Sequence, residues 1–357
     1  MSRGLTIRLA LPLVVAVGVA ACAPVPPPPT SANRELPAAS AASASETPTI
    51  SIPGTGRQFG PDPAIVPIGM AFWDAHHGIV VGSPSGDRMK GPGVVAVTDD
   101  GGRTWTGGPA TTAPLFAVSV AGDHDAWAIA SCSEPEFDPS GDCLATAIFD
   151  SPDGGYNWRP RGQHAYLVTF ADPGHGWMAT TGEVDPPERL SETHDGGFHW
   201  WPIRRPCTPS WPKVASMRFV DDRHGWIVCG GEGSGTMGPN ATYETLDGGT
   251  KWHLRSALSF GGVAIRVRRP PSGPIVGAFF LPSGRAWVWQ GRSGTETSRD
   301  GGLTWVQAPP GKPEDVFVDP MWFVDDQVGF ALVFADGATQ LWTTADGGTT
   351  WRTVHRW

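Results

Sequence analysis

Six aspartates stand in one repeated setting. Asp100, Asp153, Asp195, Asp247, Asp300 and Asp346 each take the third position of Ser/Thr-x-Asp-x-Gly-x-x-Trp. A pair of carboxylates converging on one bond could hydrolyse a glycoside. These six recur at intervals of 53, 42, 52, 53 and 46 residues, so a repeat distributes them rather than gathering them. Each is expected to serve its own turn, accepting bonds from backbone N–H groups. His76, His77, His175 and His224 also occupy equivalent turn positions in different repeats. Metal ligands must meet at a point, so these histidines are expected to be structural. Glu134, Glu136, Asp138 and Asp142 lack the spacing of an EF-hand and read as a solvated loop, with calcium as the alternative. Glu183, Asp185, Glu188 and Glu232 are acidic, but nothing selects a catalytic pair among them. No Cys-x-x-Cys occurs, so no zinc-type site is indicated. No metal and no cofactor is expected.

The elements that must position these residues are short and apolar. The chain of 357 residues has 47 Gly, 36 Pro and 17 Trp, and only 17% of its residues are charged. That suits many short strands and turns, and no convincing amphipathic helix is present. Upstream of each aspartate turn lies a second recurring feature, such as His175-Gly176-Trp177 or His224-Gly225-Trp226, preceded by a β-like run. Each unit therefore reads strand a, turn, strand b, loop, strand c, aspartate turn, strand d. Asp-Gly-Gly suits the tight turn because glycine accepts positive φ. Six such units fill residues 67–357 and predict an all-β propeller of six four-stranded blades, with seven blades as the alternative. Residues 256–273 are left over as a loop. No segment remains to complete the first blade from the C-terminal end, so closure is expected by packing of the sixth unit on the first.

The turn motif resembles the Asp-box, or BNR, repeat of sialidases, sortilin-type receptors and photosystem II assembly factors. The resemblance covers roughly residues 61–357. It implies a β-propeller with each motif between the third and fourth strands of a blade, and it says little about activity. Relatives among the assembly factors imply an assembly or scaffold role. Sialidases of this repeat use a tyrosine nucleophile paired with a glutamate, an aspartate acid/base, three arginines and an Arg-Ile-Pro motif. Here the corresponding stretch reads Ala64-Ile65-Val66-Pro67, without the arginine. Only Tyr156, Tyr166 and Tyr243 exist, inside or beside turns or in a strand. A non-catalytic binding protein is therefore the expectation, and a sialidase-like or other carbohydrate-active hydrolase the alternative.

The N-terminus reads as an export signal. Arg3 and Arg8 precede Leu9 to Ala21, an apolar run of 13 residues, too short for the roughly 20 of a spanning helix. It ends Val19-Ala20-Ala21-Cys22, which resembles a bacterial lipobox, although leucine is usual where Val19 stands. The resemblance implies cleavage after residue 21 and lipidation of Cys22. Residues 22–60, rich in Pro, Ala, Ser and Thr, read as a tether, and residues 61–357 as the propeller. The expected location is the extracytoplasmic face of the cell membrane, with plain secretion as the alternative. Four cysteines remain in an oxidising compartment. Their positions predict the disulfides Cys132–Cys143 and Cys207–Cys229. The formal charge is −9, and −11 once residues 1–21 are removed with their two arginines. Acidity argues against nucleic acid as a partner. A monomer is expected.

Strands alternate in direction, so all a–b and c–d turns share one face and the b–c and d–a loops share the other. The turn face is monotonous. Function is expected on the variable loop face. There Arg204 and Arg205 lie between units three and four, and Arg266, Arg268 and Arg269 between units four and five, with Trp201 and Trp211 flanking the first pair. Arg and Trp are enriched at interface hot spots. An unknown protein or anionic ligand is the expected partner.

Overall fold

The computed structural model describes residues 59–87, 91–131, 147–162, 164–180, 189–230, 238–258, 264–266, 271, 275–290, 294–308 and 317–357, with backbone alone for 264–266 and 317–318. The signal, the tether, Cys132, Cys143, the acidic loop, Glu183, Asp185, Glu188, Glu232, Arg268 and Arg269 fall outside these residues. The chain forms two units, residues 1–49 and residues 50–357, and the propeller lies within the second.

Six antiparallel sheets, each with four strands joined in sequence order, form a β-propeller of six blades. The inner strands are Val66–Phe72, Leu115–Ala121, Leu167–Phe170, Lys213–Phe219, Gly277–Phe280 and Phe317–Phe323. Each packs against the inner strand of the next blade, and the sixth packs against the first. Two blades carry a fifth, outermost strand. Gly60–Pro61 pairs with Thr106–Thr111 in blade one, and Ala264–Arg266 pairs with His253–Leu258 in blade four. Residues 256–273 are thus not simply a loop. Ser256 to Leu258 end strand d, and Arg266 lies on a strand opposite Ala257. A backbone pairing partner at an otherwise open sheet edge is the physical reason.

One packing rule builds the seams. The residue near the end of strand a stacks on the aromatic that follows the small residue, glycine or alanine, near the start of strand b of the preceding blade. Trp127 on Phe170, Trp177 on Phe219, Trp287 on Phe323 and Phe330 on Phe72 lie with ring centroids 3.5–3.6 Å apart. The last of these closes the ring, assisted by the Trp322 indole N–H, which donates to the Phe72 carbonyl at 2.8 Å. The glycine beside each such phenylalanine has a packing cause. At Gly225 a Cβ would overlap the Phe219 ring.

Two seams depart from the rule. Between blades one and two, Ile79 and Val120 occupy the stacking positions, and the Trp73 indole donates to the Asp125 carbonyl at 3.2 Å. Between blades four and five, Ala286 replaces the glycine, and the Trp226–Phe280 centroids stand 5.1 Å apart. Polar bonds take over at that seam. Ser216 bonds Ala278, Ser256 donates to the Gly302 carbonyl, and Arg255 donates to the Asp300 carbonyl.

A disulfide joins Cys207, in the link from blade three, to Cys229 in strand b of blade four. The pairing expected for Cys132 and Cys143 lies outside the described residues.

Candidate functional site

The six aspartates are occupied by their own turns. In blade one the Thr98 hydroxyl donates to Asp100 Oδ1 at 2.9 Å. The N–H and hydroxyl of Thr104 donate to the same carboxylate at 2.9 and 2.7 Å. Gly101 and Gly102 take φ of 73° and 85°, the left-handed region closed to most residues. Gly101 N–H then donates to the His76 carbonyl, tying the two turns of the blade together. Desolvation pushes Asp100 up, but these hydrogen bonds outweigh it and hold the carboxyl at about 2. At Asp346 the Thr350 hydroxyl and N–H lead, again to about 2. Asp153, Asp195, Asp247 and Asp300 are lowered in the same way. Such carboxylates are ionised and fixed, suited to neither acid catalysis nor attack.

The histidines are bonded locally. His77 and His175 bond Asp74 and Asp172 of their own turns, and His224 bonds Glu244 at 3.1 Å. No group of three metal-type ligands occurs among the described residues. The Tyr166 hydroxyl donates to the Val214 carbonyl, Tyr243 is half-buried against the core of blades three and four, and Tyr156 lies exposed beside Phe59.

The residues expected on the loop face are scattered. Trp211 is 7% exposed and its indole donates to the Leu258 carbonyl at 2.9 Å. It belongs to the core, because the link between blades three and four needs an apolar plug over strand d. Trp201 opens strand d of blade three, exposed beside His194 and His199. The Arg204 carbonyl accepts the Trp252 indole, next to the aspartate turn of blade four. Strand d of blade three spans only Trp201–Ile203, so the chain is still near the turn face when it reaches Arg204. Arg205 donates to the Pro212 carbonyl. The Trp211 bond does bring this link beside the strand that pairs with Arg266.

A different arginine faces space. Arg218 is the penultimate residue of strand a in blade four. Strand register makes it equivalent to Ala71, Ser119, Thr169, Phe279 and Trp322 of the other blades. Three of the six positions are small and three are large. On the axis, where the inner strands end at the turn face, lies a cavity of about 200 Å³ to which all six blades contribute. Arg218 and Trp322 line it, with Phe72, Val120, Phe170 and Phe323 around them. The Arg218 guanidinium carbon lies 4.7 Å from the ring centroids of both Phe279 and Trp322. Its Nε is sealed from solvent and unbonded, and among the described residues no hydrogen bond or ion pair reaches the guanidinium. Burial pulls it down to about 10, so it stays charged at neutral pH. Arg285, also at a seam, has an unbonded Nε too, but its terminal nitrogens donate to the Asp326 and Gly347 carbonyls, and Arg255 donates to the Asp300 carbonyl and pairs with Glu244. An unpaired cation facing a cavity is a receptor for an anion. Arg218 sits at the turn-face end of the axis, opposite the face expected to carry function. Its signal in the sequence is an arginine two positions before the turn of Asp221, where the other units carry small or aromatic residues.

No protein-family profile matches the chain, and no curated protein does. Solved structures do. YCF48 bound to D1 peptide is similar at 19% identity over 87% of this chain and 88% of that one, with a TM-score of 0.49. YCF48 from Cyanidioschyzon merolae is similar at 21% identity over 81% and 85%, with a TM-score of 0.46. A polysaccharide lyase of family PL25, an ulvan lyase, is similar at 11% identity over 84% and 85%, with a TM-score of 0.38. At these values the likeness assigns neither an activity nor a partner to the chain.

Proposed function

We propose that the chain is an exported, lipid-anchored propeller that binds a partner without transforming it, and that an anionic group of the partner enters the axial cavity at Arg218. One observation carries the reading: a partly buried guanidinium, its Nε sealed, that lines a cavity without a counter-charge among the described residues. Burying a charge unpaired is costly, and rule-breaking positions of this kind concentrate at functional sites. The anchor rests on Val19-Ala20-Ala21-Cys22 and the tether after it. A second reading is that the arginines Arg204, Arg205, Arg266, Arg268 and Arg269 hold an anionic partner; it is supported by the Trp211–Leu258 bond, which brings the link after Arg204 and Arg205 beside the strand of Arg266.

Capture from detergent-solubilised membranes tests both parts. Arg218→Met is expected to lose captured partner while keeping the parent's circular dichroism. Joint replacement of the five rim arginines by serine is expected to weaken capture and its salt dependence, since exposed charges are screened over about 8–10 Å. Cys22→Ala is expected to move the protein from the detergent phase to the aqueous phase or leave it uncleaved. Capture unchanged in Arg218→Met rejects the axial site. Parent and Cys22→Ala partitioning alike rejects the anchor.

A further inference from the structure

The cavity constrains which anion fits, given that Arg218 is the binding group proposed above. It presents one cation, and no second cationic side chain lines it among the described residues. One guanidinium balances one negative charge. A sulfate or phosphate dianion would enter with an uncompensated charge into a site walled by Phe72, Phe170, Phe219 and Phe323, and isolated buried charge is strongly disfavoured. A guanidinium also presents parallel N–H donors that match the two oxygens of a carboxylate. Phe279 and Trp322 already cover part of it, leaving a restricted approach. Most of the exposed lining is polar, and the rings of Phe72, Phe170, Phe219 and Phe323 lie stacked in the seams behind it. About 200 Å³ is the liquid volume of roughly seven waters. That is smaller than a drug-sized pocket of about 300–1,000 Å³, so the occupant is small or is the tip of something longer.

We infer that the axial cavity is a monocarboxylate site that takes the acid group against Arg218. The acid is either a free small molecule or the end of a longer chain, and both share this chemistry.

Calorimetric titration of the parent and of Arg218→Met with hexanoate, 3-phenylpropanoate, 3-phenylpropanamide and inorganic phosphate decides it. Both carboxylates are expected to bind the parent. The amide and the Arg218→Met variant are each expected to bind about 10- to 100-fold more weakly, the usual range for losing a charged hydrogen-bonded partner. Phosphate is expected not to compete. An N-acetylated tripeptide ending in phenylalanine, compared with its terminal amide, separates the sources. Binding of the tripeptide acid assigns the end of a longer chain, and binding of the free acids alone assigns a small molecule. Equal affinity for acid and amide, carboxylate binding retained in Arg218→Met, or phosphate binding at the same site overturns the inference. If no carboxylate binds while Arg218→Met still loses membrane capture, the ligand class is wrong and the binding function stands. If capture survives in Arg218→Met, that function falls as well.

Discussion

Arg218→Met is expected to melt at a higher temperature than the parent at pH 7. Arg218 carries a charge with no hydrogen bond or ion pair among the described residues. Methionine has similar reach, no charge and a sulfur that packs well on aromatic rings, and Phe279 and Trp322 are the rings it would meet. Replacing buried ionic groups by apolar ones commonly stabilises by about 1–4 kcal/mol. The lost cation–π contacts take back about 0.5–2 kcal/mol. The sign with pH follows from the depressed value. Burial lowers Arg218 to about 10 in the folded chain, below the ordinary guanidinium value, so the folded state releases this proton first. The destabilisation is complete below about pH 10 and fades as the pH rises from there towards that ordinary value. The advantage of the variant is therefore full at pH 7 and shrinks in alkali. Differential scanning calorimetry at pH 7 and above pH 10 reads both effects. A variant that melts lower at pH 7 would mean that the guanidinium stabilises the fold, and the case for an anion receptor would be lost.

Gly225→Ala is expected to destabilise by about 1–3 kcal/mol, the usual range for overpacking. The added methyl overlaps the Phe219 ring, which stacks on Trp177 at 3.6 Å and receives the edge of Trp252. Moving the ring disturbs both contacts, and aromatic pairs are worth about 0.5–1.5 kcal/mol beyond area. The protein already contains the comparison. In blade five, Ala286 stands at this position and its phenylalanine stacks at 5.1 Å. In blade two, Ala126 faces Val120, which has no ring to displace. Urea unfolding of the variant gives the number, and a midpoint equal to the parent's would show that Phe219 does not depend on the glycine.

The six blades were readable in the sequence because their turn chemistry is local. Thr98, Asp100, Gly102 and Trp105 recognise one another within eight residues, so the pattern survives in one dimension. The Cys207–Cys229 pair was readable because both residues flank the same blade. Arg218 was not readable as a site. Within Ala-Ser-Met-Arg-Phe it looks like an ordinary alternating strand residue. Its character comes from its surroundings: the rings of Phe279 and Trp322 flank it, and residues such as Phe72, Val120, Phe170 and Leu281 line the cavity with it. Those residues lie in five other blades, and only strand register brings them to one level. Trp211 misled for a related reason. An aromatic among prolines in a link looks exposed, and its cover by Leu258 is contributed by residues far along the chain.

The two irregular seams lie opposite one another across the ring. Blades two, three and four are joined by tight ring stacks, as are blades five, six and one. The other two joints lack the tight stack: Ile79 and Val120 meet in one apolar core, and Trp226 and Phe280 in another with their rings further apart. The packing pattern therefore divides the ring into two halves, each joined by stacked rings, that meet along a diameter. Arg218 belongs to one half, and Phe279 and Trp322 belong to the other. A guest at the axis therefore spans the dividing line, and slower hydrogen exchange on binding at the Ala278 amide and the Trp73 indole, which donate across it, would register the halves being pinned together.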